Sequence, residues 1–286
     1  MEWKNLSMDS KEVIDKYCKG KFQSSDLNFT NFLVWSLSEE IKYREEEDIL
    51  YVKGFLQGKE YYFPPFHVDG LKALRKINLA FKKILDQGGQ IFFIPEEYKI
   101  LLEDRFNFVE NRDYFDYIYL REDLETLAGR KYSKKKNKIA QFVKSYDYEY
   151  EKISQENIEE VKKFQEKWFE NRKEDPMIVK ENLGINLLLN NFDHLGIKGG
   201  LIRVGEEIVA YSLGEILNEN TLLVHTEKAL SDYKGSYQMI NRLFVMNEGK
   251  KCFYINREDD SGIEGLREAK LTYFPNYLLK KYEIYE

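Results

Sequence analysis

One stretch of the chain, residues 221–274, limits what this sequence can fold into more than any other. Residues 221–230 predict an apolar strand that turns polar at its end, and residues 251–255 predict a second strand. Between them, apolar positions at helical spacing and a closing Gly249 predict an amphipathic helix. Because such a succession returns as a right-handed crossover, the two strands are expected to be parallel. Their polar ends then meet at one edge of the sheet, where open sheets bind ligands.

Both strand ends carry side chains suited to substrate recognition. His225 and Glu227 are two residues apart and are predicted to share one face, as are Asn256 and Glu258 beyond the second strand. We therefore expect Glu227 and Glu258 to line a common cleft, where carboxylates can hold an ammonium group or act as a general base. The competing interpretation is that His225 and Glu227 are polar groups satisfied at a strand end.

The residues after the second strand form the densest polar constellation of the sequence. Asp260 stands near Glu258, and Arg267 and Lys270 are three apart on one face of a predicted helix, followed by Tyr273. Carboxylates would hold an amine substrate, and the cations would steady a developing oxyanion or the phosphate end of a donor. The alternative is an Asp-rich turn that caps a helix.

A turn of small residues precedes the helix of the crossover. Lys234, Gly235 and Ser236 stand where backbone N–H groups can meet a pyrophosphate at a helix N-terminus. Acetyl-CoA users usually carry a fuller, glycine-rich and basic version of this turn, so the motif is weak. The alternative is that Gly235 and Ser236 only begin the helix.

A strongly basic segment joins the two halves of a chain whose formal net charge is -6. It contains no acidic residue from 130 to 144, and Ile139, Phe142 and Val143 are predicted to give its helix a buried side. The cations then crowd the opposite face, which is either a phosphate-binding patch or a solvated surface. The candidate phosphate-binding residues are Arg130, Lys131, Lys134, Lys136 and Lys138.

The order of predicted elements indicates the fold class. In the second half, a strand at 148–153 is followed by two helices, an antiparallel hairpin at 197–217 and the crossover. This is the element order of the GNAT acyltransferase fold. The first half predicts helices and strands at 24–38, 49–55, 59–63, 71–85, 90–94, 96–106 and 114–120.

A weak internal repeat suggests two copies of one α/β unit. IFFI at 91–94 and CFYI at 252–255 each follow a helix and glycine, although any two helix-to-strand joints look alike. We predict an α/β protein with mixed sheets and two tandem GNAT-like domains. They are expected at residues 1–125 and 126–286, with the basic helix at the start of the second.

Composition excludes several classes of protein. Hydrophobic residues at 43% and charged residues at 33% are typical of a globular chain, and no segment approaches the roughly 20 apolar residues of a membrane span. Only Cys18 and Cys252 are present, so we expect no disulfide framework and a cytoplasmic location. Three histidines predict no metal cluster, and the negative charge requires any polyanion contact to be local.

The motifs together resemble the C-terminal domain family of phosphatidylglycerol lysyltransferases, from about residue 24 to the end. The matching series is DYIY, LAGRKYSKKKNKIAQF, FQEKW, HTEKAL, YKGSYQMIN and INREDDSGIEGLREAKLTYFP. This resemblance implies two tandem GNAT-like domains related to Fem-type peptidyltransferases, which move an aminoacyl group from aminoacyl-tRNA to a lipid headgroup or peptide amine. For such a donor, the basic helix would contact tRNA phosphates.

Membrane lysyltransferases carry an N-terminal multi-span portion that this sequence lacks, so the expected acceptor is a small molecule or a lipid headgroup reached by peripheral membrane contact.

We therefore expect an aminoacyltransferase or acyltransferase with no cofactor other than its co-substrate, aminoacyl-tRNA or acyl-CoA. A CoA-dependent N-acyltransferase that uses the turn at Gly235 is the alternative enzyme, and a non-catalytic binding module is a third hypothesis. The candidate catalytic residues are Glu227, Glu258, Asp260, Arg267 and Lys270. The candidate substrate-binding residues are His225, Asn256, Tyr273, Lys234, Gly235 and Ser236.

Overall fold

Residues 2–56 and 58–285 are described by the computed structural model. The first part of the chain forms, in order, β1 (Lys4–Asn5), α1 (Lys11–Cys18), α2 (Phe29–Glu39), β2 (Lys42–Glu46), β3 (Ile49–Leu56), β4 (Lys59–Tyr62), β5 (Phe66–His67), α3 (Leu74–Leu85), β6 (Ile91–Pro95), α4 (Glu96–Leu102), β7 (Val109–Glu110), β8 (Asp116–Leu120) and α5 (Arg121–Thr126). Short 3-10 helices at Met8–Ser10, Gly70–Ala73, Arg112–Tyr114 and Arg130–Tyr132 connect some of the elements in the chain.

The remainder of the chain contains the basic helix and the crossover. Its elements are α6 (Ser133–Ser145), β9 (Tyr148–Lys152), α7 (Ile158–Glu170), α8 (Pro176–Asn190), α9 (Phe192–Leu195), β10 (Lys198–Val204), β11 (Glu207–Asn218), β12 (Thr221–Ala229), α10 (Ser236–Glu248), β13 (Tyr254–Asn256), α11 (Glu264–Leu271), β14 (Tyr277–Leu279) and β15 (Lys281–Ile284).

Local signals explain where several helices begin. Asn28 caps α2, because its side-chain oxygen accepts a hydrogen bond from the Asn31 backbone N–H, so the helix predicted from residue 24 begins at Phe29 instead. Asp175 caps α8 in the same way, with Pro176 as the first helical residue. The predicted strand at 251–255 starts only at Tyr254, after a turn closed by the Cys252 N–H on the Gly249 carbonyl.

Each of the two sheets contains a strand, helix and parallel strand in succession. In the first sheet the strand order is β1-β2-β3-β4-β6-β15-β7, with β5 also paired to β3, and β4 runs parallel to β6 around α3. In the second sheet the order is β14-β8-β13-β12-β11-β10-β9, and β12 runs parallel to β13 around α10. The internal repeat therefore corresponds to equivalent crossovers, and the predicted α/β class with mixed sheets is confirmed.

The chain divides into two compact units that are not continuous in sequence. The first comprises Met1–Asp116, Asp259–Arg267 and Leu278–Glu286, and the second comprises Tyr117–Glu258 and Glu268–Tyr277. These units differ from the continuous segments 1–125 and 126–286 that we predicted, because β8 pairs with β13 in the second sheet and β15 pairs with β6 in the first.

The core of the second unit lies where α6 and α10 pack on its sheet. Ile139 and Phe142 of α6 are buried as predicted, against Met239 and Ile240 of α10. Val143 is predicted to be buried with them, but half of its surface is exposed, because the buried stripe of the helix runs through Ile139 and Phe142 and Val143 lies beside it.

Candidate active site

The polar ends of β12 and β13 lie side by side. The strands are parallel and hydrogen-bonded, with Thr221 opposite Tyr254 and Leu223 opposite Asn256. Residues 225–229 and 257–258 therefore follow the paired segments at the same edge of the sheet. This confirms the expected crossover and its common edge.

A β-bulge in β12 changes which side chains share a face. Against β11, Leu213 stands opposite Thr226, but the next residue, Gly214, stands opposite Val224. His225 is therefore an extra residue in the ladder, and the simple alternation of side chains is interrupted there. Such a bulge has no period-2 signature in the sequence.

His225 and Glu227 consequently point to opposite faces, and the predicted common face is wrong. Glu227 stands opposite Ser212, whereas the imidazole of His225 bonds Glu215, three residues further along β11. Residues three apart on a strand face opposite sides. A Cβ on Gly214 would meet Phe244, so the face of Ser212 and Glu227 is the one that carries α10.

Glu227 and Arg257 form a buried ion pair on the α10 face. The Arg257 guanidinium donates to one carboxylate oxygen, and Asn241 Nδ2 of α10 donates to the other at 2.8 Å. The guanidinium also packs against the rings of Tyr119 and Tyr273. One oxygen of Glu227 thus holds Arg257, and the other is held by Asn241.

Arg257 was not among the candidate residues, although it lies between two of them. Its Nη1 is buried and has no hydrogen-bond partner among the described residues. A buried donor without a partner is uncommon and suggests a ligand. The sequence signal that could have identified it is its position directly after a strand whose parallel neighbour carries Glu227 near its end.

His225 and Glu258 form a second buried cluster, on the other face. His225 Nδ1 lies 3.0 Å from Glu258 Oε1, and Nε2 lies 3.1 Å from Glu215 Oε1. Burial lowers the pKa of His225, but the hydrogen bonds to the two carboxylates outweigh it and raise the pKa to about 9. The ring is therefore an imidazolium at neutral pH and cannot act as a base there.

The expected common cleft of Glu227 and Glu258 is therefore wrong. The two carboxylates share one edge of the sheet but lie on opposite faces, since Glu258 bonds His225 and Glu227 bonds Arg257. Asn256, the last residue of β13, is fully buried. Its side-chain oxygen accepts a hydrogen bond of 2.8 Å from the Glu258 backbone N–H. This bond accompanies a left-handed backbone at Glu258, where φ is 54°.

Asp260 and Arg267 are joined to each other within the first unit. Arg267 donates to both oxygens of the fully buried Asp260, at 3.0 and 2.7 Å, and also to Asp113. Arg112 Nη1 donates a hydrogen bond of 3.2 Å to Asp260, and the Gly262 N–H donates another of 3.0 Å to the same carboxylate. This network organises the turn before α11 and corresponds to the capping interpretation of the sequence.

Lys270 and Tyr273 belong to the second unit. The Lys270 ammonium is buried and donates to the Arg257 carbonyl at 2.6 Å, which fixes the backbone just beyond β13. Tyr273 presents its ring to Arg257 and its backbone carbonyl to the Tyr132 hydroxyl. Lys270 therefore acts on the position of Arg257.

The turn before α10 packs tightly against α6. Gly235 has φ of 95°, and a Cβ there would lie 2.3 Å from the Lys138 carbonyl oxygen. Ser236 is buried and its hydroxyl donates to the Leu230 carbonyl at 3.1 Å. A cavity of about 320 Å³ lies beside this turn, and its lining includes Lys138 and Lys234. The turn and the basic helix thus contribute to one cavity.

The basic helix has an exposed cationic face. Lys134, Lys136 and Lys138 are exposed and form no ion pair with any residue that the structure describes. In the preceding 3-10 helix, Arg130 is also exposed, whereas Lys131 lies 3.6 Å from Asp123. The predicted exposure of these cations is present in the structure, with Lys134 and Lys138 one turn apart on one side of α6 and Lys136 on another side. Their role in phosphate binding stays a prediction.

A larger cavity, of about 670 Å³, lies at the end of β12 beside α7. It is lined by Tyr146, Lys167, Trp168, Asn171, Arg172, Glu207, Leu230, Ser231, Asp232 and Tyr233. Three of these residues are aromatic and six are charged or otherwise polar, so the cavity is more polar than most small-molecule sites. No local pattern in the sequence indicates this cavity, because its lining residues come from four separate segments.

No helix in 2–56 and 58–285 is long and apolar enough to span a bilayer. No group of three or more histidine, cysteine, aspartate or glutamate residues in those ranges is arranged to hold a metal ion.

Comparisons with known proteins identify the family. The family described as "Phosphatidylglycerol lysyltransferase, C-terminal" matches residues 20–285. A conserved protein of unknown function from Bacteroides thetaiotaomicron VPI-5482 is 31% identical, with a TM-score of 0.88 and 100% of each chain covered.

Two further solved structures share the fold at low identity. L-PGS from Bacillus licheniformis is 15% identical, with a TM-score of 0.67 over 99% of this chain and 93% of that one. FemX is 10% identical, with a TM-score of 0.57 over 100% of this chain and 98% of the FemX chain. These likenesses bear on the fold alone.

An uncharacterized protein of Mycoplasmoides gallisepticum (strain R(low / passage 15 / clone 2)) is 25% identical over 170 residues, which are 58% of this chain and 54% of that protein. The matched region thus spans about half the length of this curated relative. The fold is α/β with two mixed sheets, as predicted, and L-PGS and FemX share it. Because the family match extends over nearly the whole sequence, the chain belongs to the phosphatidylglycerol lysyltransferase C-terminal family.

Proposed function

We propose that this protein is an aminoacyltransferase that moves an aminoacyl group from aminoacyl-tRNA to an amine or hydroxyl acceptor. Family membership and the GNAT-like fold support an acyltransferase-type activity. The observation that carries the choice of donor is the exposed face of α6, whose lysines have no acidic partner in the described part of a chain of net charge -6. Such a local concentration of cations suits nucleic-acid phosphates.

The cavity beside Gly235 supports the same donor. Lys138 and Lys234 line it at the N-terminus of α10, where backbone N–H groups and the helix dipole favour an anion. A phosphodiester near the acceptor end of tRNA would occupy this cavity, while phosphates further along the strand contact Lys134 and Lys136.

Arg257 is the proposed donor to the oxyanion of the transfer reaction. Attack on an ester carbonyl places negative charge on oxygen, and a fixed donor in a water-poor site stabilises that charge. The unpartnered Nη1 of Arg257 is available for this bond, and Glu227 and Lys270 position it. In this proposal Arg257 contacts the oxyanion directly, which is the role expected of Arg267 and Lys270 from the sequence.

We infer that the larger cavity, at Trp168, is a second ligand site apart from Arg257, which is not among its lining residues. Its volume of about 670 Å³ suits a small molecule or a lipid headgroup.

The choice of donor is tested by binding of charged tRNA at several salt concentrations. Replacing Lys134, Lys136 and Lys138 together by Gln should weaken binding at least tenfold in low salt. It should also flatten the dependence of log K on log salt by about 2 to 3, since three phosphate contacts are lost. Filter binding or fluorescence anisotropy measures both quantities.

A matched control removes three exposed lysines from another part of the chain. Lys72, Lys76 and Lys82 lie on or next to α3, and their replacement by Gln changes the net charge equally. Binding that falls as much in this control as in the α6 variant would show a charge effect without a site. Binding of wild type that does not weaken as salt rises would exclude a tRNA donor.

A CoA-dependent acyltransferase is the second candidate, and the cavity at the N-terminus of α10 is the observation that favours it. Calorimetry with acetyl-CoA separates the two donors, because a micromolar affinity supports CoA and an absence of heat supports tRNA. If neither donor supports transfer by the folded protein, the result favours the hypothesis of a non-catalytic binding module.

A further inference from the structure

Lys135 differs from its exposed neighbours on α6. Its side chain is partly buried, and Nζ lies 3.9 Å from the centre of the Tyr273 ring. The guanidinium of Arg257 contacts the same ring, with Cζ 4.8 Å from the ring centre. Lys135 therefore reaches from α6 to the ring that packs against the proposed oxyanion donor.

The charged groups that face Lys135 are cations. Lys138 lies one turn further along α6, and Arg257 approaches from the end of β13, with Glu227 paired to its guanidinium. From α10, Gln238 donates a hydrogen bond to Tyr273. No carboxylate pairs with Lys135 within 2–56 and 58–285, so loss of its proton breaks no ion pair.

We propose that Lys135 is the general base of the transfer reaction, an inference that rests on the proposed function. Its neutral amine takes the proton of the attacking amine or hydroxyl as the new bond forms to the ester carbonyl carbon. The carbonyl π electrons move to the carbonyl oxygen, which accepts a hydrogen bond from Arg257. When the C–O bond of the ester breaks, the Lys135 ammonium returns the proton to the departing ribose oxygen, so no proton is gained or lost.

The electrostatic surroundings suit this role. Burial, Arg257 and Lys138 lower the pKa of Lys135 to about 8. About one molecule in ten then carries the neutral amine at pH 7, against about one in 2,500 for an ordinary lysine of pKa 10.4. His225 is already protonated, and Glu227 has both oxygens engaged, which leaves Lys135 as the best base near Arg257.

Replacing Lys135 by Arg separates a base from a mere cation. The substitution keeps the positive charge, but a guanidinium cannot lose its proton near neutral pH. We therefore expect the K135R variant to bind tRNA as wild type does while transferring about 10² to 10⁴ times more slowly. Wild-type kcat/KM should rise with pH, reach half of its plateau near pH 8 and level off above about pH 9, and K135R should lack this rise. The control is K144R, on the exposed last turn of the same helix, with unchanged rate.

A second measurement does not depend on turnover. Competitive labelling with acetic anhydride, followed by peptide mass spectrometry, gives the pH midpoint at which the Lys135 amine becomes reactive. We expect a midpoint near 8, a higher one in K138Q, and the wild-type value in K138R. A midpoint near that of free lysine would overturn the inference.

The two proposals fail in different ways. A wild-type protein that labels as expected but transfers from no aminoacyl-tRNA would refute the proposed function and with it the catalytic role of Lys135. An active wild type together with an equally active K135R would refute only the role of Lys135.

Discussion

At the scale of single residues, the site is built from two buried charge clusters. Glu227 with Arg257 occupies the α10 face, and His225 with Glu258 occupies the other. Each cluster consists of opposite charges taken out of water, which is tolerable only while every partner remains. This makes the individual residues sensitive to substitution.

His225 should contribute stability as an imidazolium between two carboxylates. Replacement by Gln removes the cation that lies between Glu215 and Glu258, and we expect a loss of about 3 kcal/mol in the free energy of unfolding near pH 7. Urea denaturation measures this loss. His194, exposed on α9, provides the matched control, and H194Q should change stability by less than about 0.5 kcal/mol.

The pH dependence of this loss has a definite sign. The folded pKa of about 9 exceeds the unfolded value of about 6.5, so the contribution is complete below pH 6.5 and disappears as pH rises through 9. The difference between wild type and H225Q should therefore shrink between pH 7 and pH 10. A constant difference over that range would contradict the charged state of the ring.

At the scale of elements, the turn before α10 connects the basic helix to the crossover. Gly235 adopts a backbone conformation open mainly to glycine and lies against the Lys138 carbonyl. The position of the α6 lysines relative to the N-terminus of α10 depends on this contact.

Replacing Gly235 by Ala should separate the two helices or unfold them. The new Cβ would lie 2.3 Å from backbone oxygen, which adds a steric cost to the cost of the positive φ. Gly205 is the control, because its φ is also positive, at 59°, but nothing lies within 4 Å of a Cβ there. We expect G235A to lose about 1 to 3 kcal/mol more than G205A in urea denaturation. Equal losses would contradict the close packing of α6 on the turn.

At the scale of the whole molecule, the chain order and the spatial units differ. β8 belongs to the first half in sequence but lies between β13 and β14 in the second sheet, and Tyr117, Ile118 and Tyr119 are fully buried there. The last strand, β15, lies in the first sheet. A cut at the predicted boundary after residue 125 would therefore remove an interior strand.

Two fragments with the same end test this arrangement. The fragment 117–280 keeps β8, whereas 126–280 lacks it and loses three large buried side chains, each worth about 3 kcal/mol or more. Their sum is comparable to the whole stability of a typical domain. We expect a cooperative thermal transition by circular dichroism for 117–280 and none for 126–280. Identical transitions would refute the place of β8 in this unit.

Much of the fold followed from local patterns. The crossover of β12, α10 and β13 and the cationic face of α6 depend on apolar spacing, glycine positions and charge runs, which are properties of consecutive residues. The same holds for the hairpin of β10 and β11 around its tight turn. Their types were correct, and their ends shifted by a few residues where a cap or turn intervened.

The sequence by itself determined which elements form and that two polar strand ends meet at one edge. Only the tertiary structure decided which side chains meet there, because a single extra residue in β12 sends His225 and Glu227 to opposite faces. It also brought Lys135, Tyr273 and Arg257 together from three separate segments. Strand register and contacts between distant segments depend on the packing of the whole sheet, and no local periodicity encodes them.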